Sequence, residues 1–172
     1  MGLKLIFWIQ FLNFTIVLNG ITMSTYTQIL YQIVFGSKFY TPFLTTNNQN
    51  ILFAYIAGIL KKKSCHSYIV GGASNHIHIV THIHPTLSLS NVVKDIKEAS
   101  HAMMCKEGSL FIGFPGWQVG YGVFTYHIKS KQSLIDYVVN QPIHHKTLSY
   151  KDELTKLLND NSIEYKDEYL LI

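Results

Sequence analysis

Apolar residues recur along this chain with two periods, two and 3.6, and the switches between them mark out its elements. Tyr26 to Phe35 reads as a strand, rich in β-branched and aromatic residues and closed by Gly36. Between residues 47 and 63, Ile51, Leu52, Tyr55, Ile56 and Ile59 recur at helical spacing. This segment ends in Lys61-Lys62-Lys63, cations suited to the negative end of a helix. Residues 67–71 make a second strand, and Gly71-Gly72-Ala73-Ser74 turns it back into Asn75-His76-Ile77-His78-Ile79-Val80, a third strand in hairpin with it. After Pro85, Ser88-Leu89-Ser90 starts a helix that turns Val92, Val93, Ile96 and Ala99 inward and ends near Met104. A fourth strand lies within 117–128, where Tyr121, Val123 and Thr125 alternate with Gly122, Phe124 and Tyr126. Residues 130–141 follow as a helix, with Ser130 at its N-cap and Leu134, Ile135, Val138 and Val139 as its apolar stripe. Leu154, Leu157 and Leu158 mark a last amphipathic helix, and 163–172 reads as an ordered or docking end.

The order strand, helix, strand, strand, helix, strand describes an α+β fold. It is the ferredoxin-like split βαβ, an antiparallel sheet with helices on one face, here with a further helix after the fourth strand. A chain of 172 residues suits one such domain. Residues 1–22 stand apart. Their apolar run, with Lys4 ahead of it, is interrupted by Gln10 and Asn13 and is shorter than the roughly 20 residues a bilayer needs. No small-residue cleavage site follows it. We expect a non-domain extension at 1–22, a start at Met23, a domain over 23–172 and no membrane partner.

The net charge is +4 and all of the basic residues are lysine. Lysine neutralises phosphate as a point charge but lacks arginine's bidentate fork, so this balance permits nucleic-acid binding without requiring it. Cys65 and Cys105 have no metal spacing and are too few for a disulfide framework, which fits buried, reduced thiols in a cytoplasmic protein.

The chemistry concentrates in two places. On the third strand, alternation puts His76 and His78 on one face and Ile77 and Ile79 on the other, so two imidazoles offer two legs of a divalent-metal site. His82 and His84 share that alternation, and the residues alone weigh the two pairs about equally. On the helix after the fourth strand, Tyr137 and Gln141 are four residues apart, hence neighbours, which puts a hydroxyl nucleophile beside an amide oxygen able to complete a metal's coordination. Asn140 and His144 are fallback ligands, and Pro142 should kink or end the helix just after Gln141.

Asn75-His76-Ile77-His78, followed by Tyr137-Val138-Val139-Asn140-Gln141-Pro142-Ile143-His144-His145, resembles the single-tyrosine HUH transposases (IS200-like), in particular the REP-associated tyrosine transposase branch. The resemblance runs roughly from Met23 to Leu170. Its register selects His76 and His78 with Gln141 as ligands of one Mg²⁺ or Mn²⁺, and Tyr137 as the catalytic nucleophile. It implies a DNA transposase that cleaves and rejoins single-stranded, hairpin-bearing or repeat DNA through a 5′-phosphotyrosine. It also implies a possible homodimer and a cytoplasmic, nucleoid-associated place of work. Lys61, Lys62, Lys63, Lys129 and Lys131 are candidate phosphate grips; Tyr121 and Trp117 are candidate base-stacking residues, and Phe124 fits the core better. Two rival functions remain: a metal-dependent hydrolase using a metal-bound water, for which no carboxylate is obviously placed as general base, and a non-catalytic hairpin-binding remnant.

Overall fold

The computed structural model describes residues 26–170, so the extension expected at 1–22 lies outside the described residues. Strand β1 (Leu30–Gly36) is followed by helix α1 (Gln49–Lys62), the hairpin β2 (His66–Ala73) and β3 (His76–His82), helix α2 (Leu89–Lys106) and β4 (Gly122–Tyr126). Three further α-helices follow among the described residues: α3 (Lys131–Val139), the single turn α4 (Gln141–His144) and α5 (Tyr150–Asp160). The sheet order is β2-β3-β1-β4 with every neighbouring pair antiparallel, the arrangement that the ferredoxin-like reading requires. β1 begins four residues later than expected, because Tyr26 to Ile29 lie outside the ladder.

β3 is central and covered on both faces, and its alternation sorts its side chains. Ile77 and Ile79 enter the main core with Leu52, Ile56 and Leu60 of α1 and Val92, Val93 and Ile96 of α2. Fully burying one such side chain contributes about 1.5–3 kcal/mol. The buried stripe of α1 is narrower than the sequence pattern, since Ile51 and Tyr55 face solvent. Trp117 also belongs to this core: its ring meets Phe35 edge-on and its Nε1 donates to Ser100 Oγ, so the base-stacking role expected of it is withdrawn. Phe124 is buried as expected. Cys65 is buried but Cys105 is exposed, contrary to the expectation of two buried thiols.

The other face of β3 presents His76, His78 and Val80. Val80 packs against Leu134 and Val138 of α3, and Tyr150, Leu154, Leu157 and Leu158 of α5 pack against β1 and β4 beside it. Two glycines permit this close cover. A Cβ on Gly71 of β2 would sit 2.7 Å from Val138 Cγ1, so α3 lies directly on the strand; a Cβ on Gly36 would sit 2.8 Å from the Tyr150 ring. The helix expected over 130–141 breaks at Asn140, and Gln141-Pro142 starts the separate turn α4, as proline's missing amide favours. Leu170 is buried against α5, so the segment after α5 docks as expected. Among the described residues no helix is long and apolar enough to cross a membrane.

Candidate active site

Four elements converge on the histidine face of β3. His76 and His78 come from the strand itself, both fully buried. Tyr137 comes from α3, Gln141 from the start of α4, His145 from its end, and Glu153 from α5. Glu153 organises the group, although it is a carboxylate only 2% exposed. Its Oε1 accepts from Tyr137 Oη and from Gln141 Nε2 (2.7 Å). Its Oε2 lies 3.0 Å from His145 Nε2, 3.2 Å from His76 Nε2 and 3.3 Å from His78 Nε2. The Tyr150 ring stacks on His76 with centroids 4.4 Å apart, and Tyr137 meets His78 edge-on.

The hydrogen bonds fix where the protons are. Asn75 Nδ2 donates to Tyr40 O (3.0 Å), which turns Asn75 Oδ1 toward His76 Nδ1 at 2.9 Å. His76 Nδ1 therefore carries the proton. Burial lowers the His76 pKa to about 4, so the ring is neutral near pH 7 and Nε2 holds a lone pair. That lone pair faces Gln141 Oε1 at 3.0 Å and Glu153 Oε2 at 3.2 Å. Three electron-rich atoms aimed at one another are unfavourable unless a cation lies among them. Donor atoms of His76, His145 and Glu153 all fall within 4.8 Å of one another, and imidazole with carboxylate suits a divalent ion such as Mn²⁺. His78 is held from behind: Gln32 Nε2 lies 3.1 Å from its Nδ1, while Gln32 Oε1 is buried without a partner. Turning that amide over gives His78 Nδ1–H an acceptor and leaves Nε2 for a metal, the support that metal-bound histidines usually receive.

Charge follows the same geometry. Burial alone would raise the Glu153 pKa, but the contacts of its carboxylate, the hydrogen bond from His145 first among them, more than reverse this and keep it a carboxylate. Burial first, and then the Glu153 charge, push the Tyr137 hydroxyl well above the ordinary tyrosine range, so Tyr137 is a phenol in the metal-free protein. A consequence for stability follows from His76. Its folded pKa, about 4, lies below its unfolded value, so the unfolded chain takes the proton first and stability falls as pH drops from about 6.5 toward 4. Glu153, depressed in the fold, adds a loss in the same direction at still lower pH. Chemical denaturation of the metal-free protein should give about 3 kcal/mol less stability at pH 4.5 than at pH 7.5. His76→Gln should flatten most of that slope, and an unchanged slope in this variant would rule His76 out as its source.

The structure thus brings His76, His78, Gln141 and Tyr137 together. It does not bring in His82 and His84: His82 bonds Ile29 O and Thr27 Oγ1 at the far end of β3, and His84 bonds Thr86. Of the fallback ligands, Asn140 and His144 are exposed, and it is His145 that faces the site. Tyr137 also lines a cleft of about 250 Å³ with Gln32, Tyr126, Ser130, Ser133 and Leu157. Lys129 and Lys131 flank Ser130 at its edge, and Lys131 Nζ lies over the Tyr68 ring. Lys61, Lys62 and Lys63 lie at the end of α1, across the sheet from the site, and Lys63 pairs with Asp95. Tyr121, partly exposed, rims a separate groove of about 440 Å³ against the C-terminal segment. Glu153 and His145 escaped the sequence reading. A signal for Glu153 existed: it interrupts the apolar stripe Tyr150, Leu154, Leu157, Leu158, and a carboxylate on a buried stripe needs partners.

The sheet, the paired strand histidines and the tyrosine on the helix after β4 define one class of protein, and sequence comparison agrees. The family model described as "Transposase IS200 like" matches residues 25–141, and the chain belongs to that family. No curated protein sequence matches it. Two solved structures share the fold. One, a candidate transposase from Deinococcus radiodurans R1, has a TM-score of 0.54 at 18% identity, covering 69% of this chain and 95% of that one. The other, a REP-associated tyrosine transposase bound to a REP hairpin, has a TM-score of 0.53 at 14% identity, covering 73% and 76%.

Proposed function

We propose that this transposase cleaves and rejoins single-stranded, hairpin-bearing DNA through a covalent bond to Tyr137. The observation that carries the reading is the shared carboxylate: Tyr137 Oη and Gln141 Nε2 meet on Glu153 Oε1, while the imidazoles gather on Glu153 Oε2. The candidate nucleophile and the candidate ligands are thus parts of one array. His76, His78 and Gln141, joined by Glu153 and His145, would hold one Mg²⁺ or Mn²⁺. Bound there, the ion supplies Lewis-acid withdrawal of charge from the scissile phosphate.

A neutral phenol is a poor nucleophile, and the contact with Glu153 Oε1 gives its proton a place to go. Tyr137 Oη attacks phosphorus, the P–O3′ bond breaks, and the leaving O3′ takes a proton. The products are a 5′-phosphotyrosine and a free 3′-hydroxyl. One ester replaces another, so a second 3′-hydroxyl can attack the phosphotyrosine, rejoin the strands and restore the tyrosine without a nucleotide cofactor. One chain supplies every group, which supports an active site complete within a protomer, whether or not two pair. Lys129 and Lys131 are placed to grip phosphates entering the cleft beside Tyr137. The REP hairpin held by a protein of this fold supports a hairpin substrate. On such a substrate the protein would work in the cytoplasm, on the nucleoid.

The test uses the full chain, Mn²⁺, and a labelled single-stranded hairpin from the DNA flanking its gene. An SDS-stable adduct should form and should carry label only from the segment 3′ of the break. Label from the 5′ segment would overturn the assigned polarity, and cleavage without an adduct would favour the hydrolase. The hydrolase is strengthened by one finding: Glu153 is a buried carboxylate of the kind that the sequence reading lacked.

A further inference from the structure

The segment leaving β1 carries a conformation that its packing does not explain. Phe39 and Tyr40 are consecutive non-glycine residues with φ of 56° and 53°, the left-handed region. There each L residue is held at a cost and persists only where its surroundings fix it. The surroundings do fix it. Ser37 N donates to Asn75 O and Lys38 N to Gly116 O, both at 2.8 Å; Ser37 Oγ donates to Thr41 O, and Asn75 Nδ2 to Tyr40 O. Yet the residue at the apex, Phe39, is 76% exposed. A strained, four-point clamp that presents a phenyl ring to water has no use in the core.

Its position gives it one. Gly36, three residues earlier, is the register partner of His76 across the β1–β3 ladder. Tyr40 meets Tyr150 edge-on at 5.1 Å, and Tyr150 stacks on His76. Asn75, which anchors the Tyr40 carbonyl, also orients His76. Phe39 therefore stands on the same clamp that sets the candidate metal ligand. Beside it, Lys38 and His101 converge over Gly116, whose φ is 102°; Lys38 Cε and His101 Cε1 come within 3.6 and 3.7 Å of where a Cβ would stand, ordinary contact distance. These side chains line a depression of about 320 Å³ with Lys97 and Glu98. Lys97 is spent on the carbonyls of Gln118 and Gly120, and Glu98 pairs with Lys94, so Lys38 is the cation free to act there.

We propose that Phe39 and Lys38 form a nucleotide subsite for the unpaired DNA next to the cleavage site: the Phe39 ring stacks on one base and the Lys38 ammonium takes the adjoining phosphate. This rests on the reading of the protein as a single-strand transferase and names a residue that positions its substrate. Stacking suits the role because every base offers a π-face and a rigid platform loses little freedom on binding.

The experiment measures binding of the full-length protein to a hairpin oligonucleotide with a 2-aminopurine in its unpaired arm, read by anisotropy and by quenching of the base. Phe39→Ala should weaken binding about tenfold and abolish quenching at one arm position, while Phe39→Trp should keep both. Lys38→Ala should lower the salt slope of binding by about one ion. Phe39→Gly separates recognition from support: it relieves the left-handed backbone, so it should melt no lower than wild type yet bind as weakly as Phe39→Ala. A lower melting temperature for Phe39→Gly, or wild-type affinity and quenching in Phe39→Ala, would overturn the subsite. If the wild type still forms its adduct in that case, the strand-transfer reading stands without it. A wild type that neither binds the arm nor forms an adduct sinks both.

Discussion

Tyr137→Phe should fold like the wild type and form no covalent adduct with DNA, a loss of at least about 10³-fold in cleavage. The substitution keeps the ring, which packs edge-on against His78 and beside His144, and removes only the hydroxyl. The lost partner is one of two donors on Glu153 Oε1, and Gln141 Nε2 still satisfies that oxygen. Stability should therefore change by no more than about 1 kcal/mol, and Mn²⁺ binding should remain. Gel assay of the adduct, with calorimetry on the same preparation, reads both. Cleavage surviving in this variant would assign the chemistry to a water and make the protein a hydrolase. An adduct surviving in it would pass the role to another tyrosine. Tyr126 comes next because it lines the same cleft, although burial raises its pKa too.

Local patterns carried most of the fold. The period-two run of β3 announced the sorting of His76 and His78 from Ile77 and Ile79, because alternation is a property of the strand itself. The Tyr137–Gln141 spacing also brought two groups together, but by a different route from the one it implied. The helix breaks at Asn140, and a contact from Glu153 supplies the proximity that an unbroken helix would have given. Glu153 itself was hidden by distance: 77 and 75 residues separate it from His76 and His78, and no local rule links them. It also lies beyond residue 141, where the family match ends. Trp117 failed for the opposite reason. An aromatic residue beside a glycine-rich turn reads as available for stacking, and only the packing of β1 against α2 shows that it is core. Phe39 is its mirror image, an aromatic residue beside the end of β1 that the fold leaves in solvent.

Glu153→Gln should separate the metal site from the fold. The amide keeps the shape of the side chain, and its oxygen can still accept from Tyr137 or Gln141, but its NH₂ can neither accept from His145 nor ligate a metal, and its charge is gone. With three imidazoles and an amide left, a divalent ion loses its one anionic protein ligand. Calorimetric titration should give about one Mn²⁺ per wild-type chain. Affinity should fall at least about 100-fold in Glu153→Gln, at or beyond the effect usual for residues that merely support ligands. His76→Ala with His78→Ala should abolish binding altogether. The metal-free proteins should behave differently. Wild type places His76 Nε2, Gln141 Oε1 and Glu153 Oε2 lone pair to lone pair, and Glu153→Gln turns one of these into a donor. Its metal-free form should thus lose less than the roughly 3–5 kcal/mol that breaking a buried charge pair costs, and it should lose most of the Mn²⁺-induced rise in melting temperature. Wild-type Mn²⁺ affinity in Glu153→Gln, with loss only in the histidine variants, would remove Glu153 from the ligand set and leave it as the group that orients Tyr137 and Gln141.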